Sequence, residues 1–106
     1  MRTLEVGLCE GRHEIKNGDG EVIDEFIFGH IENPMDFDLL EGQASDFLME
    51  MHETREIEHL KLYITGLTPA LTSFLALAQT WVGKITLMHF NRDTGGYKAQ
   101  YYQNWM

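Results

Sequence analysis

Cysteine is nearly absent from this chain of 106 residues: Cys9 stands alone, so no internal disulfide can form and no cysteine-based zinc set exists. Cations are scarce as well, eight Lys and Arg against 17 Asp and Glu, for a net charge of −9. Long nucleic acids are held by many phosphate contacts from basic side chains, and a field of this sign repels them. A small ligand with a few phosphates escapes that argument, because backbone N–H groups and one or two local cations can hold it inside an acidic protein. Long apolar runs are missing too. The nearest, residues 70–82, is broken by Thr72, Ser73, Gln79 and Thr80, so no membrane span is expected. The opening Met1-Arg2-Thr3-Leu4-Glu5 lacks the apolar core of a signal peptide, and a cytoplasmic location is the expectation.

What is present reads as one globular domain, with 43% hydrophobic and 24% charged residues. Leu4, Val6 and Leu8 alternate as one face of a first strand over residues 4–9. Residues 25–29 form a second strand, with Val22-Ile23 as a possible earlier start, after a polar turn holding Gly18 and Gly20. From Met35 to about Glu53 the apolar positions Phe37, Leu40, Ala44, Phe47, Leu48 and Met51 fall three and four apart, which predicts a helix with Asp36 and Asp38 at its positive end. Leu60, Leu62 and Ile64 alternate as a third strand. Thr68 and Pro69 then carry the clearest helix start in the chain, a hydroxyl cap followed by a proline at the first helical position. Leu71, Phe74, Leu75, Ala78 and Trp81 predict its buried face and Gly83 its end. Residues 85–90 are continuously apolar enough for a central strand, and Asp93-Thr94-Gly95-Gly96 predicts a hairpin turn into a last strand, residues 97–102.

The expected architecture is α/β: a single small Rossmann-like open sheet of about five strands with two helices and a terminal antiparallel hairpin. Ligands in such sheets bind beyond the carboxyl ends of the strands. Three segments fall there. Thr65-Gly66-Leu67-Thr68 joins a strand to a helix N-terminus, where free N–H groups and the macrodipole favour an anion. Gly11-Arg12-His13 follows the first strand; Arg12 can pair with phosphate through its planar fork, and His13 can bind phosphate or move a proton. Asn91 and Arg92 close the fourth strand, one able to read a base edge and the other to neutralise phosphate. Each also has a plainer reading, as a capped helix start, a solvated loop and a hairpin in which Arg92 pairs with Asp93. His89 is a strand histidine that fits a core role at least as well as a chemical one. No metal site is expected, since His52-Glu53-Thr54-Arg55-Glu56 has Glu56 where a second ligand histidine belongs, and no cofactor is implied. Tyr97, Tyr101, Tyr102 and Trp105 crowd the last strand with aromatics of the kind found at interfaces, which makes a homodimer or higher homo-oligomer through that strand an expectation.

Two longer stretches carry a resemblance. Leu62-Tyr63-Ile64-Thr65-Gly66-Leu67-Thr68-Pro69-Ala70-Leu71 and Leu87-Met88-His89-Phe90-Asn91-Arg92-Asp93-Thr94-Gly95-Gly96-Tyr97 resemble a family of small, mostly uncharacterised proteins of phages and prophages. Gly7-Leu8-Cys9-Glu10-Gly11-Arg12-His13-Glu14 and Glu25-Phe26-Ile27-Phe28-Gly29 belong to the same resemblance, with residues 16–22 as an insertion. More remotely, the strand–Thr-Gly-x-Thr-Pro–helix unit is similar to the signature loop of CRISPR-associated Rossmann-fold (CARF) sensor domains and compact ring nucleases, through Thr65, Gly66, Thr68 and Pro69. That likeness implies cyclic oligoadenylate binding across a dimer, with the turn on the phosphates; the ring nucleases' catalytic histidine or lysine has no matching position here. It further implies a phage sponge that sequesters a nucleotide-derived immune signal, cyclic or ADP-ribose-like. An enzyme degrading such a signal with His13 or His89 assisting, and an acidic module that binds a host protein, are the alternatives.

Overall fold

The computed structural model describes residues 2–11, 14–65, 68–81 and 83–104. The chain builds β1 (Thr3–Cys9), a small hairpin of β2 (Ile15–Lys16) and β3 (Val22–Ile23), β4 (Phe26–Phe28), α1 (Phe37–Met49) running into a π-helical turn (Glu50–Thr54), β5 (His59–Tyr63), α2 (Thr68–Ala78), and the hairpin β6 (Lys84–Asn91) and β7 (Gly96–Asn104). Five strands form one sheet in the order β4-β1-β5-β6-β7, parallel except for β7, while β2 and β3 pair only with each other. The expected open α/β sheet with a terminal antiparallel hairpin is therefore the observed fold.

Strand order explains where the layers lie. The steps β4 to β5 and β5 to β6 move the same way across the sheet, whereas β1 to β4 moves the opposite way. Right-handed crossovers then put α1 and α2 on one face and the β2–β3 hairpin on the other. The packing agrees. Leu40, Ala44 and Leu48 of α1 and Ala70, Phe74 and Ala78 of α2 share one core with Val6, Leu8, Leu60, Leu62, Ile85 and Leu87. Ile15 and Ile23 pack instead with Tyr63, Phe26, Met88 and Tyr97 on the opposite face. One helical layer on one sheet makes a flat molecule, 35 × 34 × 20 Å, its thin dimension about two layers at ~10 Å each.

Local chemistry sets the element ends. Asn33 Oδ1 accepts the Met35 N–H, and Asp36 caps α1 by accepting the Leu39 N–H at 3.3 Å. Phe37, the first residue of the predicted apolar stripe, is half exposed because it stands at the very start of the helix. At the far end the Arg55 N–H donates to the Glu50 carbonyl, an i to i+5 bond, and Glu56 takes a left-handed φ of 53° while the Ile57 N–H returns to the Met51 carbonyl. Arg2 closes this end by donating to the Arg55 carbonyl, and Arg55 pairs with Glu25. The second helix stops at Ala78, short of the predicted end near Gly83. Thr80 and Trp81 donate instead to Leu77 and Ala78, tightening the last turn to i to i+3 bonds. Trp81 is still buried, and a Cβ on Gly83 would lie 2.4 Å from its ring.

Candidate functional site

The loops that leave β1 and β5 are neighbours at the carboxyl edge, and topology sends them to opposite faces, β1's toward the hairpin and β5's into α2. Such a switch point opens a crevice. Thr65 fastens its two sides: its hydroxyl donates to the Cys9 carbonyl at 3.0 Å and accepts the Cys9 N–H at 3.4 Å. The one hydroxyl proton of Thr65 is thereby committed to the strand, leaving an acceptor lone pair rather than a donor for a ligand. Gly11 is exposed in the loop after β1, with open space where a Cβ would be. Thr68 begins α2 and is exposed, so Pro69 stands one position further in than predicted. The Thr68 hydroxyl has no hydrogen bond among the described residues, whereas its carbonyl accepts from Thr72. Arg12, His13, Gly66 and Leu67 lie outside the described residues.

The third loop stands apart. β6 pairs with β5 only as far as Met88, and its last three residues run on as a two-stranded hairpin with β7. At ~3.3 Å per residue, Asn91 lies about 10 Å beyond that last pair along the strand. Asn91 Oδ1 accepts the Asp93 N–H at 3.0 Å and its carbonyl accepts from Gly95, whose φ of 74° suits only glycine comfortably. The amide nitrogen of Asn91 keeps its donors. Arg92 is exposed and makes no ion pair with Asp93 or any other described residue, so the plain hairpin-pair reading does not account for it. His89 is exposed rather than core, with Nε2 2.7 Å from the Gln100 Oε1 across the hairpin. The structure thus places Gly11, Thr65 and Thr68 beyond the carboxyl ends of the adjacent strands β1 and β5 and leaves Asn91 and Arg92 on an arm projecting past them.

No family model matches the chain, and neither a curated protein nor a solved structure is significantly similar to it. Fold and site geometry carry the functional argument alone.

Titratable groups are perturbed on the hairpin-covered face rather than at the crevice. The Tyr63 hydroxyl is pushed up to about 12, first by burial and then by the charge of Glu5, to which it donates at 3.2 Å. Tyr97, whose ring meets that of Tyr63 edge-on at 4.9 Å, is also raised by burial. His59 is held below its ordinary 6.5 by burial and then by Lys84 and Lys61, with Nε2 2.8 Å from the Thr86 hydroxyl. Tyr63 and Tyr97 thus meet each other, and His59 meets Thr86 of the neighbouring strand at the other end of β5. Among the described residues no group of three or more His, Cys, Asp or Glu could hold a metal ion, and no helix is long and apolar enough to cross a membrane.

Sequence reading passed over a second concavity. A cavity of about 260 Å³ opens at the amino edge of the sheet, where α1 and the π-helical turn end beside the end of α2; Leu48, Met49, Leu77 and Trp81 supply its apolar walls. The Trp81 indole N–H is the one buried side-chain polar group without a partner among the described residues, a state that costs about 1–3 kcal/mol. Its sequence signal was a tryptophan just past a helix end and before a glycine, which reads equally well as core.

Proposed function

We propose that this protein binds and sequesters a small phosphorylated nucleotide-derived ligand, a cyclic oligonucleotide or an ADP-ribose-like signal, at the carboxyl edge. The observation that carries the reading is the switch point between β1 and β5, at which α2 also begins. Phosphate would sit against the first turn of α2, with Arg92 as the cation free to swing toward it and Arg12 as a second. Binding is favoured over cleavage because the His89 ring is engaged by the Gln100 side chain across the hairpin, on the arm that runs past the end of β5. Glu10 opposes the ligand: its carboxylate stands beside Gly29 on the same edge. A pocket shared between two copies would add cations, and β7, an edge strand of nine residues with Tyr101 80% exposed, is the strand through which a homodimer would form.

A melting screen against cyclic di- and oligonucleotides and ADP-ribose tests this. A ligand at a hundred times its dissociation constant should add about 2.7 kcal/mol of stability. Heating the complex should release the ligand intact. Arg92→Ala and Thr68→Ala should weaken binding and Glu10→Gln should strengthen it. Recovery of cleaved products would favour the enzyme reading, and no stabilisation by any phosphorylated nucleotide would overturn both.

A further inference from the structure

Parallel strands are normally covered on both faces. Opposite the helices, however, only the β2–β3 hairpin lies on this sheet among the described residues, with Ile15 and Ile23 packed against Phe26, Tyr63, Met88 and Tyr97. The amino ends of β5 and β6 lie outside that cluster. Side chains alternate along a strand, so the register puts His59 and Lys61 of β5, Lys84 and Thr86 of β6 and Tyr101 of β7 on the uncovered part of the face; His59 pairs with Lys84, Lys61 with Thr86, and Thr86 with Tyr101. Two lysines thus flank one imidazole. Both are partly buried, and neither makes an ion pair among the described residues, although the chain has 17 acidic residues. Glu5, beside Lys61 on β1, is engaged elsewhere, accepting from the Tyr63 hydroxyl at 3.2 Å and from Asn17 Nδ2 at 3.1 Å. Glu58, just before His59, accepts the Arg2 N–H at 3.2 Å. The buried Thr86 hydroxyl holds His59 Nε2 at 2.8 Å, and the other ring nitrogen has no partner among the described residues. Burial, and then the charges of Lys84 and Lys61, keep that imidazole below its ordinary 6.5.

We propose that this patch binds a small phosphate monoester, its phosphate between Lys61, Lys84 and His59 and a planar ring on Tyr101. A phosphate there meets two cations without displacing a carboxylate, and its charge stabilises the protonated imidazole, which can donate to it. Tyr101 is 80% exposed, so its ring is free to stack. Size excludes a protein partner: three strands by two rows of side chains measure about 10 × 7 Å, far short of the roughly 800 Å² that each side of a stable protein interface buries. The patch lies at the amino ends of β5 and β6, whereas the nucleotide site proposed above lies beyond the carboxyl ends of β1 and β5, so neither depends on the other.

Inorganic phosphate, phenyl phosphate and phenol are the probes, at an ionic strength held constant with potassium chloride so that screening alone cannot act. The His59 imidazole resonance, assigned by its loss in His59→Gln, is followed against pH by NMR. Saturating phosphate or phenyl phosphate should make His59 titrate about one pH unit higher, and phenol should not. Phenyl phosphate should bind at least about fivefold more tightly than phosphate, and Tyr101→Ala should bring the two to equal affinity. Lys61→Gln and Lys84→Gln should each weaken phosphate binding about tenfold. Lys61→Arg should retain it, a rescue that a merely structural role for the stem would not require. Thr68→Ala, at the carboxyl edge, should leave the His59 response unchanged. A His59 titration that phosphate does not move, a rise that chloride matches, or a response lost in Thr68→Ala overturns the proposal. Equal affinities for phosphate and phenyl phosphate in the unaltered protein overturn it as well.

Discussion

Gln103 ties the edge of the sheet to the end of the second helix, and replacing it is the sharpest test of how the two layers are joined. Its side chain is 7% exposed, and Nε2 donates to the Trp81 carbonyl at 3.0 Å and to the Ala78 carbonyl at 3.4 Å. Both partners are acceptors, so only the amide nitrogen fits between them. Ala78 keeps a second donor, the Trp81 N–H, whereas the Trp81 carbonyl is left with no other partner among the described residues. Gln103→Leu preserves the volume and strands that carbonyl, a loss of about 1–3 kcal/mol. In a chain of 106 residues each kcal/mol lowers Tm by roughly 4–8 °C. Urea unfolding should show a lower midpoint with unchanged slope. Gln103→Glu separates donor from filler: at neutral pH its carboxylate confronts two carbonyl oxygens and should destabilise more than leucine does. Acidification should narrow that gap, because a protonated carboxyl can donate to Trp81. If Gln103→Leu stays within about 0.5 kcal/mol of the original protein, or Gln103→Glu shows no relative recovery in acid, the bonds to α2 do not hold the edge.

Three further outcomes follow from the same geometry. Gly7→Ala would place a Cβ 2.5 Å from the Phe26 ring and 3.2 Å from Ile15, and should cost about 1–3 kcal/mol by overpacking; a neutral effect in thermal unfolding would mean the hairpin-covered core is loose. Glu56→Gly removes a left-handed residue that bears a Cβ, worth about 1–2 kcal/mol, against about 0.5–1 kcal/mol of glycine's chain entropy, so a net gain near 0.5–1 kcal/mol is expected in denaturant titration and any loss contradicts the capping geometry. His59 has a folded-state pKa below its unfolded 6.5 because burial and two lysines disfavour its charge. Its contribution is therefore fully present above 6.5 and is lost as the pH falls below that value toward the folded pKa, because the unfolded chain takes up the proton first. His59→Gln should flatten stability against pH in that window, and parallel curves for the two proteins would refute the assignment.

Much of the architecture was legible because the signals were periodic or local. Alternation at Val6 and Leu8 and at Leu60 and Leu62 named strand faces that are buried as expected, with Leu4 partly buried, and the spacing of Leu40, Ala44, Leu48 and Met51 named the inner face of α1 and of the π-helical turn that continues it. Boundaries were less legible. Capping bonds set them at both ends of α1, and a tightened turn ended α2 at Ala78 even though Trp81 continues the apolar spacing. The short β2–β3 hairpin was read as a polar turn because two-residue strands carry almost no pattern. At the candidate crevice the sequence could name Thr65 and Thr68 as neighbours of a helix start, but nothing in it pairs Thr65 with Cys9, 56 residues away.

Sequence by itself determined the class of this protein: an acidic α/β chain, short of cysteine and of basic residues, whose two helices and main strands are written in apolar spacing and whose second helix has a proline-marked start. Those properties depend on near neighbours in the chain, and so they survive without a fold. Tertiary structure decided which strands touch, that both helices share one face, that the β6–β7 arm carries Asn91 and Arg92 past the end of β5, and that the ends of the two helices border a cavity at the far edge. Each of these is a meeting of groups distant in sequence, and only closing the chain brings such groups within bonding range.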